Sequence, residues 1–178
     1  MTFAGRVGLI TGAGSGIGRA TARILAERGG AVVVADVNRV AAEETAAQIR
    51  AAGGRAEACA CDVTRAEDVD AAVALARRSL GRLDIVVNCA GILRVAPLED
   101  TSEKEWEEVL AVNLTGAFLL TRSALRALRE QGGGRSSTSP RAPPSGPRRG
   151  TAPTRRRRPA SSSSRRWLPS RARATASA

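Results

Sequence analysis

Apolar periodicity runs from the N-terminus to Gln131 and stops at Gly132, and that boundary limits what the chain can fold into. The segment from Gly132 to Ala178 holds 12 Arg, 10 Ser and 7 of the 8 Pro, with no Asp or Glu and no Val, Ile, Phe or Met. Such a segment cannot bury enough apolar surface to offset the entropy of ordering its backbone. Residues 132–178 are therefore expected to be an Arg/Ser/Pro-rich disordered tail, and residues 1–131 must build the fold. The total length of 178 residues suits one domain with a real core.

The charge divides along the same line. The whole chain carries a net +11, which at first points to nucleic acid. The tail takes 12 of the 28 basic residues, leaving 16 in the body against all 17 acids. The body is thus nearly neutral, and the basicity belongs to the tail alone. No apolar run approaches the roughly 18–20 residues that span a bilayer, so no membrane partner is expected. The N-terminus enters a strand-like run directly, and a cytoplasmic location is expected. Cys59, Cys61 and Cys89 lack C-x-x-C spacing and are expected to be small buried hydrophobes, with no metal site. The chain has no His, the commonest general base and metal ligand, and no Tyr.

Within the body, strand and helix patterns alternate. Strands are expected at 6–11, 31–36, 55–61 and 84–88, and helices at 17–28, 39–52 and from about 64 to 80. Gly53-Gly54 and Gly81 stop two of these helices. Thr64 with Glu67, and Ser102 with Glu105, read as capping boxes, the second opening a long helix over 102–130. Its apolar positions run through Trp106, Leu110, Leu114, Phe118 and Leu125. This alternation predicts an α/β fold, a Rossmann-like, doubly wound parallel sheet of about four strands with helices on both faces. Ligands of such a sheet bind at the carboxyl ends of its strands.

The first strand ends in Thr11-Gly12-Ala13-Gly14-Ser15-Gly16-Ile17-Gly18 and leads into a helix. Glycines there allow a tight turn and a close approach of backbone N–H groups to a pyrophosphate, and the helix N-terminus favours the anion. The spacing is G-x-x-x-G-x-G rather than the general G-x-G-x-x-G. Asp36 ends the second strand, the place in such a unit where a ribose-binding carboxylate stands. A carboxylate there accepts hydrogen bonds from both adenosine ribose hydroxyls and repels a 2′-phosphate, favouring NAD over NADP, while nearby Arg39 argues the other way.

Together these residues resemble the short-chain dehydrogenase/reductase family of NAD(P)-dependent oxidoreductases. The family's TGxxxGIG turn is Thr11–Gly18, with Gly12, Ser15, Gly16, Ile17 and Gly18 as cofactor-binding positions. Asp62-Val63 matches its adenine-contacting Asp-Val, and Asn88-Cys89-Ala90-Gly91 its Asn-Asn-Ala-Gly, with Cys in second place. Asn88, Ala90 and Gly91 then line the cofactor site by resemblance, and Asn113, in Val112-Asn113-Leu114-Thr115-Gly116-Ala117-Phe118, matches the catalytic Asn. The resemblance covers residues 1–131, whose four strands it implies run in the order 3-2-1-4. It implies hydride transfer between the cofactor and a small alcohol or ketone, and homo-oligomers paired through the long helix.

The chain departs from the family in its second half. The family's general acid/base Tyr and its partner Lys, four residues apart on one helix face, have no counterpart, because there is no Tyr and the only Lys is Lys104. A phenol needs such a cation to ionise near neutral pH, and Asn113 alone cannot transfer the proton. The expectation is a chain without the family's turnover, with a bare fourth-strand edge prone to wrong pairing and with poor binding of the adenosine half of NAD. A surviving non-catalytic dinucleotide-binding module is the alternative. A basic tail that neutralises nucleic-acid phosphates, with Trp167 stacking on a base, is another.

The tail also admits a coding explanation. Codons for Ser136-Ser137-Thr138-Ser139-Pro140, moved by one base, can spell the family's Ile-Val-Asn-Ile-Ser. In the same frame Thr154 permits Tyr and Arg158 permits Lys, which restores the missing spacing of four. Thr175–Ala178 permits Tyr-Gly-Val-Arg, and a following Val-Asn can supply the stop. Residues 136–178 are therefore expected to be a frameshifted translation of the family's C-terminal half.

Overall fold

The computed structural model describes residues 2–132, so the expectations for the tail fall on residues outside that range. Four strands form one parallel sheet: β1 (Val7–Thr11), β2 (Ala31–Asp36), β3 (Arg55–Ala60) and β4 (Ile85–Asn88). The order is β3-β2-β1-β4, as the family resemblance implies. Val7 pairs with Ala31 and Thr11 with Ala35 on one side of β1, while Gly8 pairs with Ile85 and Thr11 with Asn88 on the other. The carboxyl ends of β2, β1 and β4 therefore finish level, and the connection direction reverses at β1. That reversal opens a crevice at the top of the sheet.

Helices cover both faces because the central strands are apolar at nearly every position. Residues alternate sides along a strand, so β1 and β2 feed two cores. Ile10, Val32 and Val34 pack with Ala22, Leu25, Ala46 and Ile49 of α1 (Gly16–Glu27) and α2 (Arg39–Ala51). Val7, Leu9 and Val33 pack on the other face with Val69, Ala72, Ala76, Leu120 and Ala127. These last belong to α3 (Ala66–Leu80) and α5 (Gly116–Glu130).

Three local expectations are corrected. Thr64 does not cap α3, and no side-chain cap bond is present there. Its hydroxyl and its N–H instead both donate to Asp62 Oδ1, at 2.7 and 2.9 Å, so the carboxylate turns the chain before the helix and the start moves to Ala66. Of the cysteines only Cys61 is buried; Cys59 lies near the sheet edge and Cys89 at the crevice, and both are half-buried. The long helix is also not uniform. It consists of α4 (Glu103–Leu110), a π-helical turn (Ala111–Thr115) and α5. Its apolar stripe lies away from the core: α4 buries no residue, and on α5 Phe118 stands on the side opposite Leu120 and Ala127. Trp106, Leu114 and Phe118 are exposed, and the core face is Leu120, Ala124, Ala127 and Leu128. The Ser102–Glu105 capping box is formed, and the Ser102 hydrogen bonds hold the Glu105 carboxyl below its usual range.

Side-chain amides fasten this helical rod to the segments just before and after β4. Asn113 Nδ2 donates to Ile92 O and its Oδ1 accepts from Ile92 N, both at 2.9 Å. Gln131 does the same with Leu83, both bonds at 2.8 Å. Among the described residues the outer edge of β4 has no strand partner.

Candidate nucleotide site

The crevice at the top of the sheet holds a cavity of about 580 Å³. Gly12, Ser15, Asp36, Asp62 and Val63 line one part of it, and Ala90 and Gly91 another. The remaining residues singled out in the sequence sit around this wall. Gly18 is buried beneath the turn, and Gly16 and Ile17 lie exposed at the start of α1. Asn88 ends β4, its Oδ1 accepting from the buried Thr11 hydroxyl at 2.6 Å. Asn113 is exposed beside Gly91, both ends of its amide taken by Ile92, while its neighbours Ala111 and Val112 line the cavity.

Two glycines are required by close approach. Gly12 has φ +64°, and a Cβ on it would lie 2.7 Å from Ala90 N. A Cβ on Gly18 would lie 2.1 Å from Gly12 O. Larger residues at either place would push the turn off β4 or off α1, and the crevice depends on both contacts. Ser15 is the N-cap of α1 but makes no side-chain cap bond, and the first turn's N–H groups have no intrahelical partner. They form, with the helix dipole, a place for an anion beside the cavity.

Asp36 is held on both oxygens. Oδ2 accepts from Gly14 N at 2.8 Å and Oδ1 from Asn38 N at 2.9 Å. A carboxylate has about four acceptor sites, so this leaves room for two further hydrogen bonds, the number a ribose diol offers. The lining fits a dinucleotide, for which the glycine turn and helix end would hold the pyrophosphate, Asp36 the ribose, and Asp62-Val63 the adenine.

Several residues in the wall carry no functional signal in the sequence. Thr64, fixed by Asp62, belongs to a D-x-T turn, which is the one local sign of its place; Glu108 and Ile92 enter through the end of α4 and the loop after β4. Cys61 and Cys89 also line the cavity. Burial, with Asp68 beside it, pushes the Cys59 thiol up to about 11, and burial with the neighbouring Cys59, Asp68, Asp62 and Asp36 pushes Cys61 up to about 12. Both are poor nucleophiles at neutral pH. Among the described residues no helix is long and apolar enough to cross a membrane.

Comparison with known proteins agrees with this geometry. The chain is 48% identical over 129 residues to the short-chain reductase protein NovJ of Streptomyces niveus, covering 72% of this chain and 49% of that one. It is 42% identical over 130 residues to the D-threitol dehydrogenase of Mycolicibacterium smegmatis, covering 73% and 50%. The crystal structure of a hydroxysteroid dehydrogenase from Escherichia coli superposes with a TM-score of 0.70 at 34% identity, covering 75% of this chain and 56% of that one. The chain spans about half the length of the curated relatives it matches. The family model described as short chain dehydrogenase matches residues 6–136, and the chain belongs to that family of NAD(P)-binding oxidoreductases.

Proposed function

We propose that residues 1–131 are the adenosine-binding half of an NAD-preferring short-chain dehydrogenase, and that the chain as it stands binds nucleotide without turning over substrate. The observation that carries the reading is Asp36, a carboxylate on the cavity wall with spare acceptor sites beside the glycine turn. A 2′-phosphate there would meet a fixed negative charge, whereas ribose hydroxyls meet an acceptor. Gly12, Ser15, Gly16, Ile17 and Gly18 serve the pyrophosphate, Asp62 and Val63 the adenine, and Asn88, Ala90 and Gly91 the far ribose. Asn113 acts in this reading by holding Ile92 and with it the wall. The reaction by descent is hydride transfer between the nicotinamide ring and a small alcohol or carbonyl compound. Its proton-transfer pair is absent from a chain with no Tyr. Oligomer formation through the outward face of the helical rod follows from the same descent and from the exposure of Trp106, Leu114 and Phe118.

Calorimetric titration of the purified chain with NAD and NADP, alongside an assay of NADH consumption with mixed ketones, tests this. The expected outcome is weak NAD binding, weaker NADP binding and no consumption. Turnover, or a preference for NADP, overturns it. The frameshift reading of residues 136–178 is tested separately by the nucleotide sequence: the adjacent frame should encode Tyr-x-x-x-Lys, and its absence refutes that part.

A further inference from the structure

Arg19 lies one residue beyond the glycine turn, on the side of α1 that faces α2. Its side chain is 32% exposed, and its guanidinium makes two hydrogen bonds inward. Nη2 donates to the Gly14 carbonyl, and Nε donates to the Thr45 hydroxyl at 3.0 Å. Thr45 is fully buried in α2 and its hydroxyl in turn donates to Ala41 O at 3.0 Å. Arg19 thus ties the glycine turn to the helix that follows Asp36.

The peptide groups flanking Gly14 are gripped on two sides. Arg19 holds the carbonyl, and the N–H donates to Asp36 Oδ2 at 2.8 Å. There is no slack, because a Cβ on Gly14 would lie 2.8 Å from both Ala41 Cβ and Asp36 Oδ2. The Asn38 N–H anchors Oδ1 and the Gly14 N–H anchors Oδ2, so the rotation of the Asp36 carboxylate about its Asn38 bond is set by Gly14, which Arg19 holds in place. A planar guanidinium with donors in a fixed fork suits this task, since one side chain reaches two acceptors on different elements.

We propose that Arg19 is a positioning residue for cofactor selection: by fixing Gly14 against α2 it fixes the carboxylate that accepts a ribose diol and turns away a 2′-phosphate. The inference rests on the dinucleotide reading of the crevice. Released from Arg19, Gly14 drifts from Oδ2, and the Asp36 carboxylate, still held at Oδ1 by Asn38, turns about that bond, loses part of its hold on the diol and repels the phosphate less. The sign runs against simple charge removal. Deleting a nearby cation by itself weakens a phosphorylated nucleotide more than its parent and raises the preference for NAD, whereas loosening the carboxylate lowers it.

The test uses the full chain and three forms: unsubstituted, Arg19→Met and Thr45→Val. The last keeps the cation and the side-chain volume while removing one of its anchors. The first readout needs no ligand and is the hydrogen exchange of the Gly14 amide, followed by NMR. It is expected to quicken about tenfold in Arg19→Met and less in Thr45→Val, with exchange in the β1 core unchanged. The second is the ratio of the NADP to the NAD dissociation constant, expected to fall about fivefold in Arg19→Met, the worth of one hydrogen bond, and in the same direction in Thr45→Val. A general loss of structure would weaken both nucleotides alike and leave the ratio unmoved, which overturns the proposal. So does a ratio that rises in Arg19→Met, or a Gly14 amide whose exchange is unaltered. If the unsubstituted chain binds neither nucleotide, the dinucleotide reading falls and the selection role with it, while Gly14 exchange still decides whether the tie itself exists.

Discussion

Asp84 joins the start of β4 to the start of β1, and replacing it with Ala should cost the body a large part of its stability. Its side chain is 8% exposed and accepts four hydrogen bonds. Arg6 donates at 2.9 Å, Arg82 at 2.6 and 2.7 Å, and the Val7 N–H at 3.0 Å. Val7 is buried, so its N–H is orphaned by the substitution, at about 1–3 kcal/mol. The two arginines are more than half exposed, and solvent screening leaves each pair worth about 0–1 kcal/mol. The expected loss is about 1–5 kcal/mol, against a total of roughly 5–15 kcal/mol for an ordinary domain. In urea, followed by far-ultraviolet circular dichroism, that lowers the midpoint by about 1–2 M. The pH dependence gives a second check. Burial alone would raise the Asp84 carboxyl, but the bonds from Arg82, Val7 and Arg6 outweigh it and hold the group below its ordinary 3.8. A lowered folded value means stability present above 3.8 and lost as pH falls through that lowered value. The gap between the two proteins should be wide at pH 7 and narrow in acid. Coincident midpoints at pH 7, or a gap that stays as wide at the lowest pH, would refute the reasoning.

Gly18→Ala places a Cβ 2.1 Å from Gly12 O, a backbone atom that cannot move without displacing the turn. It should lower stability by about 3 kcal/mol and abolish nucleotide binding; an unchanged melting temperature with binding retained would show that the close contact is not real. Cys61, buried and with its thiol pushed up to about 12, should react with a disulfide reagent at pH 7.5 only as fast as the structure around it opens. Peptide mapping that finds Cys61 labelled as fast as a free cysteine would contradict its burial.

Much of the architecture is legible because it depends on local pattern. β2 reads as Ala-Val-Val-Val-Ala before a carboxylate, and such an unbroken apolar run suits a strand covered on both faces. The glycine turn, the Ser102–Glu105 box and Gly81 with φ +86° are signals that the backbone obeys within a few residues. The strand order follows from four parallel strands and the family likeness together. Other features are hidden for a physical reason: competing partners, near or far along the chain, decide them. Thr64 carries a valid capping signal, yet Asp62 two residues earlier competes for the same hydroxyl and wins. In α5 apolar residues fall on two faces, and only the one packed against α3, with Leu120, Ala124, Ala127 and Leu128, is buried, a choice that no local residue type announces. Arg19 looks like an ordinary exposed helix residue until α2 brings Thr45 beneath it. The resemblance makes Asn113 catalytic, whereas its visible hydrogen bonds are to the backbone of Ile92.

The register of β1 also bears on how the chain folds. β1 joins β2 by pairing Val7 with Ala31 across a short connection, but meets the β4 side through the far longer loop closed by the Val7–Asp84 bond. Closing the longer loop costs about 1 kcal/mol more by chain statistics alone. The β3-β2-β1 layer can therefore assemble early in synthesis from the segment Val7–Ala60, with its second face uncovered. Docking of α3 on that face, then of β4, bringing Asp84 onto Arg6 and the rod onto α3, is the late event that closes the core. Until then that second face of β1 and β2 stands open to solvent, so chaperone demand and aggregation should track the arrival of residues 66–131 rather than the sequence of the nucleotide turn.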